Sequence, residues 1–359
     1  MNNKTVFGSR EAVSLMVIIL LTKFVFTTPL LLINQSGVSA WISVITSSVF
    51  AFFFFQLCIC VLKKKDKEID FSVYQNKSFL ITGLLGGCYF YVLTASFIGQ
   101  YIIGAMHSAL PESPFLYVSL FCLACILSIG FLGLEPCVRS ARFFVILLLM
   151  MIALLLVAFF EMFDLRSFAP FFGKGYLSTI IMTPITTWIF PEYFFLFYFL
   201  PFIKKKKYML HTNFMTVLII TVCFLAVLGI YLLVVPSELA QRLNFPTHQI
   251  IYFIEGTVSQ SLKPLYTFIW HISVFLYAGI EVVFLSEMIS RFLKTDSRKP
   301  LVPVLSVGLI FLSFVLGNES TLQQVMAELL KYGIVLFPIM PFCLSVVSRL
   351  GGNQCIKKQ

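Results

Sequence analysis

Charged side chains are scarce in this chain. Asp, Glu, Lys and Arg make up only 12% of its 359 residues, whereas 59% are hydrophobic. So few polar residues cannot cover a soluble globule of this length, and the composition therefore excludes a water-soluble domain. The sequence also lacks a Walker loop, a nucleophile elbow, paired catalytic carboxylates and any His spacing typical of a metal site. We therefore expect neither an enzyme nor a bound cofactor.

The nine cysteines do not indicate disulfide bonds. Most fall inside apolar segments, and the others lie on connections predicted to face the cytoplasm, where thiols stay reduced. Cys122 and Cys125 have the spacing of a redox or metal pair. Because the surrounding segment is otherwise apolar, we interpret them as small packing residues.

Long apolar segments occupy most of the chain. A helix needs about 20 apolar residues to cross a bilayer, and ten segments approach that length. The predicted crossings are residues 11–34, 39–62, 78–106, 114–134, 143–160, 176–202, 213–235, 265–290, 301–317 and 327–348. We predict an all-α integral membrane protein with ten transmembrane helices, in a single membrane domain that covers residues 1–359.

The basic residues fall almost entirely on alternate connections. The runs Lys63–Lys65 and Lys204–Lys207 lie on connections of one set, and the other set carries only Arg166, Lys174, Arg242 and Lys263. The side richer in Lys and Arg faces the cytoplasm in membrane proteins. Both termini are therefore predicted to be cytoplasmic. The net charge of +10 reflects anchoring at anionic lipid, and nucleic acid is not expected as a partner.

Segments one and six are each interrupted near their middle. Thr22 to Pro29 break the first, and Thr183 to Glu192, which include Pro184 and Pro191, break the sixth. Because five segments separate these matching positions, the two halves would insert with opposite orientation. Interrupted helices at equivalent places in inverted repeats indicate a binding site at the membrane midplane. We predict repeats at approximately 9–162 and 176–349, although ordinary proline kinks would explain either break alone.

Two charged residues are predicted near the bilayer centre. With a rise of about 1.5 Å per residue, Lys23 in segment one and Glu192 in segment six reach similar depths. Such charges are costly and mark functional sites, so we expect the two to approach each other as an ion pair, a proton site or a ligand contact. A structural bridge between helices, or Lys23 extending to the interface, is the alternative. Glu281 and Glu287 are interpreted as interfacial partners of Arg291 and Lys294.

The predicted ligand site collects residues from segments one, three, six and eight. The helix that starts after the first break exposes amides that favour a carboxylate, and residues at helical spacing in segments three and eight would complete a mostly apolar wall. Ordinary helix packing is an equally good explanation for each of them alone. The residues are Phe26, Thr27, Thr28, Tyr91, Thr94, Ile98, Trp188, Phe190, Glu192, Ser273 and Tyr277.

Several short stretches follow one another in a recognisable order and spacing along the chain. They are 9–11, the Pro29 region, 39–42, 133–135, 142–144, 168–173, 192–202, 245–247 and 268–277. Together they resemble the B-subunit family of bacterial spore germinant receptors, a branch of the amino acid–polyamine–organocation transporter superfamily. Two positions depart from the pattern of this family: Thr22 replaces a usual Gly, and Pro191 precedes Glu192 where relatives have Gly-aromatic-Glu.

The resemblance implies a LeuT-like fold of ten helices in the inner membrane of the spore. It also implies a complex with a germinant receptor A subunit and a C-subunit lipoprotein. The B subunit of this family binds a small germinant, often an amino acid, and signals through these partners. A proton-coupled amino acid or organic cation transporter is the second hypothesis for this chain. A structural subunit that positions the A subunit and binds no ligand is the third.

Overall fold

Helices make up nearly all of the described structure. The computed structural model describes residues 7–24, 28–62, 77–108, 110–169, 175–199, 202–203, 209–235, 251 and 257–335. Within these ranges the only β-type pairing is an isolated bridge between Phe7 and Ile203. The helices, numbered in chain order, are α1 Ser9–Phe24, α2 Thr28–Ser36, α3 Ala40–Leu62, α4 Lys77–Ser108, α5 Phe115–Leu132, α6 Leu134–Phe159, α7 Thr183–Thr186, α8 Tyr193–Phe199, α9 Met209–Val234, α10 Thr257–Leu293, α11 Leu301–Val315 and α12 Glu319–Val335.

Six helical stretches in the described ranges are long and apolar enough to cross a membrane. They are Thr28–Cys60, which joins α2 and α3, and Leu80–His107, Phe115–Leu132, Leu134–Met162, Met209–Val234 and Leu262–Leu293. Helices α11 and α12 pass the same criterion together and are bent by 114° at their junction. An all-helical membrane protein is therefore confirmed. The number of ten crossings and the two inverted repeats stay predictions.

The helix bounds extend past the apolar segments that predicted them. Helix α6 starts at Leu134, before the predicted 143, and α12 starts at Glu319, before the predicted 327. Hydropathy detects the part of a helix that lipid requires to be apolar, whereas polar end turns remain helical in the headgroup region. At the start of α12 the Asn318 carboxamide oxygen accepts the Thr321 backbone N–H at 3.1 Å. This is an N-cap that only local sequence reveals.

Helices α1 and α10 occupy the centre of the bundle. Helix α1 packs against α6, α9 and α10, and α10 also packs against α4, α5, α6 and α11. Every residue of α1 from Ser14 to Phe24 is buried. A helix buried on all sides lies inside a bundle, away from lipid. This central position places the end of α1, at Phe24, beside the elements that form the candidate site.

Small residues let two of the central helices approach closely. A Cβ at Gly83 of α4 would lie 2.8 Å from Tyr198, and one at Gly87 would lie 2.7 Å from Leu285 of α10. These two glycines form the G-x-x-x-G spacing that favours close packing of membrane helices. The side of α4 that carries them therefore contacts both α8 and α10.

Candidate functional site

The helix in segment six stops in the middle of the bundle. Helix α7 ends at Thr186, Thr187 leaves the helical conformation with φ −132° and ψ 80°, and α8 starts at Tyr193. The residues between them are buried. The interruption predicted in segment six is therefore present. In segment one, α1 ends at Phe24 and α2 starts at Thr28, while residues 25–27 lie outside the described ranges.

Helix α12 supports the broken backbone of segment six. The Trp188 backbone N–H donates to the Leu330 carbonyl at 3.2 Å, and the Tyr89 hydroxyl donates to the Leu329 carbonyl at 2.6 Å. A Cβ at Gly333 would lie 2.9 Å from the Tyr89 hydroxyl and 3.2 Å from Pro191. Buried backbone polar groups need partners wherever a helix is interrupted. Helix α12 supplies such a partner, the Leu330 carbonyl, to the Trp188 N–H. It can pack closely against the break because residue 333 is a glycine.

The two charged residues predicted near the membrane centre form an ion pair. The Lys23 ammonium lies 2.5 Å from one carboxylate oxygen of Glu192, and the two side chains are 1% and 0% exposed. Lys23 is in the last turn of α1, and Glu192 directly precedes α8. Charges are costly at this depth, and in this pair each one compensates the other.

The other carboxylate oxygen of Glu192 has no hydrogen-bond partner in the described structure. The hydroxyl groups of Thr94 on α4 and Tyr277 on α10 are also buried and also lack one. Tyr277 lies near enough to interact with both Glu192 and Thr94, but neither contact has hydrogen-bond geometry. Polar atoms left unpaired in a protein interior are costly. These three oxygens are the candidate ligand contacts of the site.

An aromatic cluster surrounds the same junction. Phe24 at the end of α1 stacks on Phe224 of α9, with ring centroids 3.7 Å apart. Phe190 lies 5.7 Å from the same Phe224 ring and 6.2 Å from Trp188. The predicted residue Phe190 thus packs on the Phe224 ring that stacks on Phe24, and Trp188 joins this cluster through Phe190. Sequence reasoning missed Phe24 and Phe224, which stand among many apolar neighbours and carry no separate signal.

A family comparison agrees with this architecture. The profile of the spore germination protein family matches residues 8–321, which include the interrupted segments and the ion pair. The chain belongs to this family. It is a transporter-like or receptor-like family of membrane proteins, as the resemblance implied. No curated protein matches the sequence.

The predicted site residues of this germination-family protein have different environments in the structure. Thr28 is buried and its hydroxyl lacks a hydrogen-bond partner in the described ranges. The Tyr91 hydroxyl donates to the Leu305 carbonyl of α11 at 2.6 Å. Ser273 donates to the Ile269 carbonyl of its own helix, and Ile98 is fully buried.

Two further predicted residues, Phe26 and Thr27, lie outside the described ranges. The structure thus brings Thr94, Glu192 and Tyr277 together and directs the Tyr91 hydroxyl to α11. The ligand-binding role of all these residues stays a prediction.

The interpretation of Glu281 as an interfacial residue is wrong. Glu287 pairs with Arg291 at 2.9 Å, as expected. Glu281, however, is 1% exposed, and neither of its carboxylate oxygens has a hydrogen-bond partner in the described ranges. Six residues of α-helix rotate a side chain by about 240°, so Glu281 points away from the face that Glu287 shares with Arg291. Glu192 and Tyr277 lie within electrostatic range of its carboxyl.

A hydroxyl cluster joins the other halves of the two interrupted segments. Ser36 donates to Thr183 at 2.9 Å, Ser39 and Thr179 hydroxyls lie 2.8 Å apart, and Ser43 donates to the Thr179 carbonyl at 2.7 Å. Thr179 lies in a turn of π-helix at Ser178–Met182, which frees backbone carbonyls from the regular ladder. We call these five residues the hydroxyl cluster. It fastens α2 and the start of α3 to the helix that precedes the break in segment six.

Proposed function

We propose that the chain is the nutrient-sensing membrane subunit of a spore germinant receptor in the spore inner membrane. A small ligand of the amino acid type would bind in a midplane pocket between the interrupted segments. The receptor's A subunit and C-subunit lipoprotein would transmit the signal. Membership of the spore germination protein family supports the membrane receptor assignment, and the buried junction at Lys23 and Glu192 supports the location of the ligand site.

The single observation that carries the proposal is the Lys23–Glu192 ion pair between two helix ends. An amino acid zwitterion has a carboxylate that can replace Glu192 at the ammonium and an ammonium that can replace Lys23 at the carboxylate. Charge-assisted contacts of this kind are the strong ones in a medium of low dielectric constant. Opening the pair around a zwitterion therefore leaves no charge uncompensated.

Such a replacement would couple binding to movement. Lys23 belongs to α1 and Glu192 to the start of α8, so separating them to admit a ligand displaces one helix end relative to the other. A ligand changes a conformational equilibrium only by its difference in affinity for the two states. In this proposal the ligand favours the state with the pair open, and the partner subunits respond to the displaced helix ends.

Germination of spores that carry substituted chains tests the proposal. We expect Lys23→Met and Glu192→Gln each to abolish the loss of optical density that follows nutrient addition, and the swap Lys23→Glu with Glu192→Lys to restore part of it. Glu287→Gln is the matched control, because its carboxylate pairs at an exposed position. Immunoblots must show unchanged amounts of this chain and its partner subunits. Normal responses in both single variants would refute the proposal.

A proton-coupled amino acid or organic cation transporter is the second candidate, favoured by the buried Glu281 carboxyl, which has no hydrogen-bond partner among the described residues. Uptake of labelled amino acids into vesicles with an imposed proton gradient separates the candidates. A receptor binds without accumulating solute, whereas a transporter concentrates it. Photo-crosslinking of labelled germinants in spores separates both candidates from a purely structural subunit, since the structural subunit would capture no label.

A further inference from the structure

Helix α12 carries a charged pair on its exposed side. The Lys331 ammonium lies 3.4 Å from the Glu328 carboxylate, and the two side chains are 50% and 60% exposed. Gln324, one turn before Glu328, is exposed as well. The opposite side of the helix is buried, and its residues are Leu322, Met326, Leu330 and Gly333. Because this buried side packs on the bundle, the charged pair points away from it.

Hydrogen bonds of the buried side show how deep the charged pair lies. The Tyr89 hydroxyl of α4 donates to the Leu329 carbonyl at 2.6 Å, and the Trp188 N–H donates to the Leu330 carbonyl at 3.2 Å. This part of α12 is therefore level with the break in segment six. Tyr89 lies in the stretch Leu80–His107, about 13 Å from its nearer end. The charged pair thus lies within the hydrocarbon layer, which is about 30 Å thick.

Helix α11 shows a side suited to lipid in the same protein. Its exposed residues are all apolar, and they are Val304, Val307, Phe311, Phe314 and Val315. Charged side chains inside a membrane almost always face other protein groups or water. A long Lys side chain can reach the interface from some depth, but the shorter Glu328 side chain cannot, and lipid tails offer its oxygens no partner. The exposed side of α12 is therefore suited to contact with another protein.

The exposed residues have the spacing of a helix–helix contact. They alternate in steps of four and three residues, which is the spacing of the a and d positions in a coiled coil. Polar side chains in membrane helices hydrogen-bond across such contacts. A single transmembrane helix fits along this row. We call it the α12 stripe, and it consists of Gln324, Glu328, Lys331 and Val335.

A second copy of this chain is a poor partner for the α12 stripe. Membrane proteins keep one orientation, so the axis between two copies would run along the membrane normal and the two stripes would be parallel. Glu328 would then face Glu328 of the other copy, and Lys331 would face Lys331. Like charges opposed in this way disfavour association. A different chain can offer a complementary group at each level.

We propose that the α12 stripe binds a transmembrane helix of a different membrane protein, which carries polar side chains at the same depth. An acidic or hydrogen-bond-accepting group of this helix faces Lys331, and a basic or donating group faces Glu328. The contact rests on exposure and depth alone, whereas its assignment to a partner subunit of a germinant receptor rests on the proposed function. Because Leu330 bonds to Trp188, only α12 separates this partner from the break.

Photo-crosslinking in membranes isolated from spores tests the contact. Benzoylphenylalanine replaces Tyr332, which follows Lys331 on the same side and is 56% exposed. A control chain carries the probe in place of Phe311 of α11, which is 65% exposed. We expect the probe at 332 to capture one membrane protein other than this chain. Mass spectrometry should locate the crosslinked peptide in a transmembrane helix with polar residues, and the probe at 311 should capture lipid.

Several outcomes of this experiment would overturn the proposal. They are capture of lipid alone by the probe at 332, capture of a second copy, an internal crosslink to later residues of this chain, and capture of a soluble protein. Equal capture of one protein by both probes would overturn it too, because α11 would then be no different from α12.

A charge swap separates partner recognition from folding. Glu328→Lys combined with Lys331→Glu keeps an ion pair within α12 but reverses the charges that a partner meets. We expect the crosslink from position 332 to fall several-fold, while the unfolding temperature of the purified chain stays unchanged. Should the swapped chain fail to accumulate, Gln324→Leu should lower the yield of the crosslink to a smaller extent. An undiminished crosslink in the variant that accumulates would overturn the proposal.

This proposal and the proposed function can fail separately. Loss of germination in Lys23→Met and Glu192→Gln spores, combined with no crosslink from position 332 to another protein, would leave the receptor function and remove the α12 contact. A crosslink that depends on the charges of the α12 stripe, combined with normal germination in the Lys23 and Glu192 variants, would do the reverse.

Discussion

The two interrupted segments are joined on both sides of their breaks, and the two junctions differ in chemistry. On the α1 side one charged pair, Lys23 with Glu192, connects the helix ends. On the α2 side the neutral hydroxyl cluster connects them through several contacts. Removing a hydroxyl leaves other bonds of the cluster intact, whereas removing one charge leaves its partner uncompensated. In the proposed receptor mechanism, the α1 side would therefore be the part that switches, and the α2 side would stay together.

The largest effect is expected from breaking the charged junction. Glu192→Gln leaves the Lys23 ammonium buried without a partner, and we expect it to lower the free energy of unfolding by about 3–5 kcal/mol. The double variant Lys23→Met with Glu192→Met removes both charges and should recover most of that loss. Unfolding of the purified chain in detergent measures both variants. Equal destabilisation in the single and double variants would show that the two side chains are not energetically coupled.

The next largest loss of stability is expected when the contact between α12 and the break in segment six is disturbed. Gly333→Ala places a Cβ 2.9 Å from the Tyr89 hydroxyl and 3.2 Å from Pro191, and overpacking of this kind costs about 1–3 kcal/mol. Gly229→Ala in α9 is the matched control, because a Cβ there meets no atom within 4 Å. A helical Ala in place of Gly should leave the control at least as stable as the native protein. Equal unfolding temperatures for the two variants would contradict the close contact at position 333.

A smaller loss is expected at the hydroxyl cluster. Ser36→Ala removes the bond to Thr183 and the 3.0 Å contact with Ser43. Side-chain hydrogen bonds between membrane helices contribute about 0.6 kcal/mol each and rarely exceed 1.7, so we expect a loss of about 1 kcal/mol. Ser128→Ala serves as control, since Ser128 is exposed and bonds only to its own helix. If Ser36→Ala lowered the free energy of unfolding as much as Glu192→Gln does, the proposed difference between the two junctions would be wrong.

The smallest effect is expected at the interfacial pair of α10. Glu287→Gln removes an exposed i,i+4 contact with Arg291, and such pairs contribute less than about 0.5 kcal/mol. Glu281→Gln, six residues earlier on the same helix, replaces a buried carboxyl that has no ion-pair or hydrogen-bond partner in the described ranges, and it should instead raise the free energy of unfolding. Changes of opposite sign in the free energy of unfolding, measured for the two variants in the same assay, would distinguish an interfacial carboxylate from a buried one.

Hydropathy predicted the helical membrane class and most helix positions because lipid contact dictates apolar length. The interruption in segment six was also predictable, since Thr183, Pro184 and Pro191 disfavour a continuous helix. The rotation of each helix about its own axis was harder to predict from the sequence. Tyr91 and Thr94 share a sequence stretch, but the first donates to α11 and only the second lies near Tyr277. The prediction for Glu281 was wrong for the same reason. The depth of a residue along a helix follows from its number, whereas the direction in which its side chain points depends on which helices pack against it.

The bridge between Phe7 and Ile203 has a mechanical consequence. The Phe7 backbone N–H donates to the Phe202 carbonyl at 3.0 Å, which ties the chain just before α1 to the chain beyond α8. Lys23 and Glu192 connect the opposite ends of the same two helices. Helices α1 and α8 are therefore joined at both ends, by a backbone contact at one end and an ion pair at the other. If the charged contact opens while the backbone contact holds, the two helices can separate only at their Lys23 and Glu192 ends, because residues 7 and 202–203 stay joined.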